Sequence, residues 1–292
     1  MPSRRPAEPI LRRAERLRRR LDTELVRRGL VSSRDRAQAE ISAGRVMVRG
    51  VPATKAARMV DADDPVALQG PGPRFVGRGG DKLDAALDHF GIDAAGRTAL
   101  DAGASTGGFT DCLLQRGAAH VVAVDVGRGQ LDMRLRNDER VKVRERTNVR
   151  HLTPADLGGD SPARPVTLLV ADLAFISLRT VAPALLGLVA AGADLVLLVK
   201  PQFEAGRAQA DRERGVIRDP GVWADAVRGV IGAYGEGGAV TVGLMVSPLL
   251  GAEGNVEFLA HLIAGGAPDA AADAEVMVTE VVDAAVARRT VP

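Results

Sequence analysis

Apolar positions recur at two different periods in two parts of this chain. Leu17, Leu21, Leu25 and Val26 follow helical spacing, and Gly29 is a natural stop. Ser32 or Ser33 is suited to cap a second helix with Ala37, Ala39 and Ile41 on its inner face, ended by Gly44. Val46, Val48 and Val51 then alternate as a strand does, and Val66-Ala67-Leu68 reads as another. After the Gly/Pro-rich Gln69-Gly70-Pro71-Gly72-Pro73 the pattern changes. Residues 99–101, 121–125, 168–172 and 195–200 are apolar runs of buried-strand type, and 240–246 supplies a later strand. Helical patterns near 109–116, 130–136 and 178–189 lie between them. The expectation is an α/β fold, a Rossmann-like parallel sheet with helices on both faces, behind a small N-terminal α+β domain. The boundaries read as a basic tail over 1–15, a first domain over 16–68, a linker over 69–78 and a larger domain over 79–263. A connector with a terminal helix (275–288) fills 264–292.

Composition narrows the function classes. Hydrophobic residues make up 46% and charged residues 26% of 292, enough for a core and too apolar for wholesale disorder. The longest uncharged stretches, 180–193 and 237–252, fall short of the ~18 apolar residues of a spanning helix, so no membrane association is expected. The Arg-rich start lacks an apolar run, which argues against a secretory signal. A lone Cys112 fits a reducing cytoplasm. The charge is unevenly spread: residues 1–80 hold 18 Lys+Arg against 9 Asp+Glu, a net +9, whereas 81–292 carry a net −7. A basic N-terminal third points to a polyanion-binding module. With 3% aromatic residues, backbone charge and shape should dominate over base stacking.

Candidate chemistry sits at the strand ends, where ligands of such sheets bind. The first long strand ends Asp101-Ala102-Gly103-Ala104-Ser105-Thr106-Gly107-Gly108-Phe109. Ser105 occupies the second glycine position of a dinucleotide fingerprint, so that reading fails. The loop matches the Asp-x-Gly-x-x-x-Gly-Gly pattern of S-adenosylmethionine enzymes, with amides of the following helix available to a carboxylate. Asp125, ending the next strand, suits the two ribose hydroxyls of a nucleoside cofactor. Asp172 and Lys200 end two further strands, Lys82 follows Gly79-Gly80-Asp81, and Glu257 stands in Gly254-Asn255-Val256-Glu257. No His/Cys/Asp cluster suggests a metal.

The N-terminal string Arg20-Leu21-Asp22, Gly29-Leu30-Val31, Ser33-Arg34, Ala37, Ile41, Gly44-Arg45-Val46, Val48, Gly50 and Lys55 resembles the S4 RNA-binding domain. Arg49 stands where that family usually has Asn. The resemblance implies RNA contacts from Arg18, Arg19, Arg20, Arg34, Arg36, Arg45 and Lys55, guanidinium groups being suited to phosphate. The ordered Lys82, Asp172, Lys200 and Glu257 resemble the tetrad of FtsJ-type ribose 2'-O-methyltransferases. From about Arg20 to Ile263 the chain resembles the TlyA family, through residues 103–109, Ala171-Asp172-Leu173-Ala174-Phe175-Ile176-Ser177, Lys200-Pro201-Gln202-Phe203-Glu204 and residues 254–257. Ala174 replaces the more usual Ser.

This resemblance implies S-adenosylmethionine-dependent 2'-O-methylation of cytidine in ribosomal RNA, with rRNA or ribosomal subunits as partners and no protein partner readable. It also implies roles: Lys200 as general base or hydroxyl activator, Asp172 and Glu257 orienting and balancing the lysines, Lys82 holding the target ribose. A lysine serves as a base at neutral pH when neighbouring positive charge and desolvation favour its neutral form. The sequence argues against methylation of a base. Asp172-Leu173-Ala174-Phe175 lacks the prolines of an amine-methylating loop, and Cys112 is expected to face away from the cofactor loop. Three rivals are a hemolysin-like membrane-active protein, an S4-bearing pseudouridine synthase and an RNA-binding factor without catalysis.

Overall fold

The computed structural model describes residues 18–31, 34–70, 73–158, 165–206, 215–251, 253–266 and 274–290. Leu17, Ser32, Ser33 and the basic tail lie outside them. The chain divides into two units, Met1–Pro73 and Arg74–Pro292.

In the first unit β1 (Arg19–Arg20) pairs antiparallel with β4 (Met59–Val60), and β2 (Val46–Val48) lies between β3 (Val51–Pro52) and β5 (Val66–Leu68). Two helices, α1 (Leu21–Arg27) and α2 (Arg34–Ser42), bury Leu21, Leu25, Ala37 and Ile41 against Val46, Val48, Ala53 and Val60. Ala39 is exposed, unlike its expected inward position; buried Ala37, Glu40 and Ile41 form that face instead. Val51 is exposed too, although it pairs with buried Val48 across a two-residue turn. Arg49 (φ 55°) and Gly50 (φ 76°) make that turn in the left-handed region. Such a conformation disfavours a long side chain, but Arg49 Nε donates to Asp64 Oδ1 at 2.7 Å, which helps hold it there.

The second unit is a seven-stranded sheet of order β11-β12-β10-β9-β6-β7-β8. β6 (Thr98–Ala102), β7 (His120–Val124), β8 (Val141–Arg144), β9 (Val166–Ala171) and β10 (Val189–Val199) run parallel. β12 (Phe258–Ala264) is antiparallel to both β10 and the edge strand β11 (Ala239–Val246). Alternate residues feed two apolar layers. Leu168 and Val170 join Leu83, Leu87, Leu113 and Val121 on one face, whereas Leu169 and Ala171 join Val181, Leu197, Trp223 and Phe258 on the other.

The helices are α3 (Arg78–Phe90), α4 (Gly108–Gln115), α5 (Met133–Arg136), α6 (Pro154–Gly158), α7 (Leu178–Leu186), α8 (Pro201–Glu204), α9 (Pro220–Glu236) and α10 (Ala274–Thr290). The helix expected over 130–136 is one turn long, because Asp132 caps it by accepting from Arg134 N. The helix expected to reach residue 189 ends at Leu186, since the chain enters β10 at Val189. The carboxyl ends of β6, β7, β9 and β10 face one edge, and the strand order reverses at β6, with β7 and β8 added on one side and β9 and β10 on the other.

Candidate active site

The loop after β6 is shaped by positions that only glycine fills easily. Gly103 (φ 90°) donates its amide to Val124 O at 2.8 Å, and a Cβ there would run into the Asp172 carbonyl. Gly107 (φ 99°) precedes α4, and a Cβ there would strike Leu131 and Leu135. The loop therefore lies flat against the strand ends, with Ala104 and Gly108 buried and Ser105 and Thr106 exposed. Asp125 braces it from β7. Its Oδ2 accepts from Ser105 N at 2.8 Å and its Oδ1 from Gly127 N at 2.6 Å. A carboxylate oxygen has a second lone pair, so both retain acceptor capacity toward a ligand.

A cavity of about 700 Å³ opens beside this loop, walled by Gly103, Ser105, Asp125, Gln130, Asn148 and Phe175, among others. A second, of about 320 Å³, continues on the other side of Gly103, Ser105 and Asp172, between Arg78, Lys82, Thr106, Phe109, Lys200 and Glu257. Lys82, on α3, forms an ion pair with Glu257, which precedes β12. Lys200, at the end of β10, forms one with Asp172, at the end of β9. Four groups spread over 176 positions of sequence are thus gathered on one cavity wall as two cation–anion pairs. Lys82 lies inside a helix that its two preceding glycines conceal: Gly80 has no side chain because Phe75 occupies that space.

Asp101 is placed differently from the expectation of a cofactor contact. Its side chain is fully buried beneath the loop, accepts a 2.6 Å bond from Thr110 Oγ1 and leaves its other oxygen without a partner. Burial pushes its carboxyl up to about 7. Phe109 lines the smaller cavity from an almost wholly buried position, its ring against Gly79. Cys112 is buried among core residues on the α3–α4 side and its thiol is pushed up to about 12 by that burial.

Four residues on or beside the cavity walls have no role assigned from the sequence. Phe175, at φ 65°, exposes 93% of its surface, and its ring lies 5.5 Å from Phe203. Phe203 in turn lies 5.7 Å from Lys200 Nζ. Exposed Arg78 and Arg150 border the two cavities. The Phe175 loop is tied to the Lys200 turn by Glu204, whose buried carboxylate accepts from Ser177 Oγ and from Leu178 N (2.8 Å).

In the first unit the arginines expected to meet RNA are held by buried carboxylates. Arg18 pairs with Asp61, Arg19 with Glu24, Arg20 and Arg34 with Asp22, and Arg36 and Arg45 with Glu40. Arg36 is only 17% exposed and braces α2, whereas Arg18, Arg20 and Arg34 keep roughly half or more of their side chains in solvent. Lys55 is exposed.

Residues 75–263 match the family of FtsJ-like methyltransferases, and residues 19–66 match the S4 domain. A protein of Mycobacterium tuberculosis named 16S/23S rRNA (cytidine-2'-O)-methyltransferase TlyA is 52% identical over 246 residues, 84% of this chain and 90% of that one. A Brachyspira hyodysenteriae protein named Hemolysin A is 39% identical over 84% of this chain and 99% of its own length. A solved structure from Streptococcus thermophilus, described as a candidate hemolysin, superposes with a TM-score of 0.71 at 35% identity, covering 93% of this chain and 98% of that one. Among the described residues no helix is long and apolar enough to cross a membrane.

Proposed function

The chain belongs to the TlyA family of FtsJ-like methyltransferases, and we propose that it carries a methyl group from S-adenosylmethionine to the 2'-hydroxyl of a cytidine in ribosomal RNA. The observation that carries this reading is the meeting of Lys82, Asp172, Lys200 and Glu257 on the wall of one cavity, beside the glycine loop. The flat loop at Gly103 and Gly107 leaves backbone where a cofactor needs close approach, and Asp125 offers acceptors for ribose hydroxyls. Gly103, Ser105, Asp125, Gln130 and Asn148 would hold the nucleoside part, and Thr106 with the start of α4 the amino-acid part. Bound there, S-adenosylmethionine supplies a methyl group activated by its sulfonium.

The remaining work falls to this chain's own residues. For the transfer step Lys200 must first give up one proton to solvent; its free amine then hydrogen-bonds the attacking hydroxyl and takes up that hydroxyl's proton. Asp172 fixes the Lys200 amine by its ion pair, and Glu257 does the same for Lys82, which holds the ribose. The pairing keeps two ammonium groups and two carboxylates in a small space with no net formal charge, so neither lysine is left as an isolated buried ion. Phe175 and Phe203 offer an apolar face for the target base beside Lys200. The basic first unit binds the surrounding RNA backbone. Positioning of the hydroxyl supplies much of the rate.

The test is methyl transfer from labelled S-adenosylmethionine to ribosomal RNA. Lys200→Ala should still bind cofactor and RNA, yet lose turnover by about 10²–10⁴-fold, the span of a lost acid–base group. Near-normal turnover by that variant would contradict the assignment.

A further inference from the structure

Asp22 is the polar centre of the first unit. It lies in the first turn of α1 with its side chain completely buried, yet four side chains and one amide reach it. Arg20 donates to it through Nε (3.1 Å) and Nη2 (2.9 Å), Arg34 through Nη2 (3.0 Å), and Gln38 lies at 3.5 Å. Thr23 contributes its amide (2.8 Å) and hydroxyl (3.2 Å). The Arg20 bonds, followed by that of Arg34, hold the Asp22 carboxyl far below the usual carboxylate range, so it stays an anion at any working pH.

The two arginines come from different elements, Arg20 from β1 and Arg34 from the start of α2. Their Nη2 atoms share one oxygen, Asp22 Oδ2, so the two guanidinium groups are neighbours by construction. Each nonetheless keeps about half of its side chain in solvent, 45% for Arg20 and 56% for Arg34. A guanidinium has five N–H donors, and Asp22 engages two of Arg20 and one of Arg34. The unengaged donors of both groups remain for another acceptor. The cluster as a whole is left with one net positive charge on a buried anion.

Resting on the reading of this unit as the RNA-binding one, we propose that Asp22 is a positioning residue: it fixes Arg20 and Arg34 side by side as a two-guanidinium fork for one RNA phosphate. Unanchored, two long cationic side chains repel and sample many rotamers, and both effects oppose convergence on a single phosphate. Anchoring makes that ordering before RNA arrives, which is how preorganisation raises affinity. A guanidinium is suited to this double duty because it can face a carboxylate with one edge and a phosphate with another.

Anchoring by Asp22 acts on RNA binding with a sign opposite to that of simple charge. Asp22→Asn adds one unit of positive charge to the chain, so electrostatics alone would tighten RNA binding. The fork requires the reverse: in the full chain, affinity for a fluorescein-labelled RNA stem–loop, read by anisotropy, should fall about fivefold, as expected for lost preorganisation. In an Arg20→Ala/Arg34→Ala background, which itself binds more weakly, Asp22→Asn should no longer weaken binding, because nothing remains to be positioned. Equal or tighter binding by Asp22→Asn in the native background would overturn the proposal. So would an equal weakening in the double-alanine background, the mark of a merely structural role. Should Asp22→Asn unfold the unit, Arg20→Lys/Arg34→Lys decides: it keeps Asp22 and all charge but loses the planar fork, and it should bind several-fold more weakly. Wild-type affinity in that variant would overturn the fork. If Arg20→Ala/Arg34→Ala binds RNA as the wild type does, the failure lies instead with the reading of these arginines as RNA contacts, and the fork falls with it.

Discussion

Lys82 and Glu257, 175 positions apart in sequence, form an ion pair in which the two side chains are 8% and 3% exposed. The pair closes the cavity wall between α3 and the strand that begins at Phe258. Removing one partner of a buried pair leaves the other as an uncompensated charge, at a cost of about 3–5 kcal/mol. Glu257→Ala should therefore lower the melting temperature markedly as well as abolish methyl transfer. Lys82→Met/Glu257→Leu, which removes both charges, should recover most of the stability and none of the activity. Calorimetric melting of the two variants checks this; a double variant as unstable as the single one would argue against the charge-pair account.

Phe175 combines a left-handed backbone with an almost fully exposed ring, two features without benefit to folding. Phe175→Gly should leave the melting temperature unchanged or slightly raised, since glycine adopts φ 65° freely. Methylation should suffer nonetheless. Loss of one aromatic platform for a base is worth about 1–3 kcal/mol, seen as a rise in KM for RNA with unchanged affinity for S-adenosylmethionine. Unchanged kinetics on RNA would remove Phe175 from the site.

Asp101 gives the unit a pH signature. Its carboxyl is raised by burial from the ordinary 3.8 to about 7, so the folded state holds the proton more tightly than the unfolded chain. The resulting stabilisation is complete below the unfolded value and is lost as the pH rises through about 7. Wild type should accordingly lose stability relative to Asp101→Asn between mildly acidic and mildly alkaline pH. Denaturant melts of both proteins across that window measure it, and parallel stability curves would contradict the buried protonated acid.

Much of this site is legible in the sequence because strands of a parallel sheet announce their carboxyl ends. Asp125, Asp172 and Lys200 each terminate an apolar run, and the glycines at 103 and 107 mark a loop that must lie close to something. The helix carrying Lys82 is less visible. It begins at Arg78 after Gly77, without a capping side chain, and its first turns contain two further glycines that exist to admit Phe75 and Phe109. β8 hides for another reason: Val141-Lys142-Val143-Arg144 lies at the sheet edge, where the side chains of Lys142 and Arg144 reach carbonyls at Asp156 and Leu157. The anchoring of Arg34 by Asp22 is invisible too, since twelve positions separate them and only the packing of α1 beside α2 brings them together. The same packing makes several of the basic residues part of the fold as well as candidates for RNA.

The central claim is that the hydroxyl beside Lys200 is a ribose hydroxyl. It is tested most directly by digesting ribosomal RNA methylated by the purified wild-type chain to nucleosides and locating the methyl group by fragmentation mass spectrometry. The account predicts methyl retained on the ribose fragment of cytidine, none on the released base, and no such product from Lys200→Ala. A methylated base, or a ribose-methylated product formed at the wild-type rate by Lys200→Ala, would contradict it.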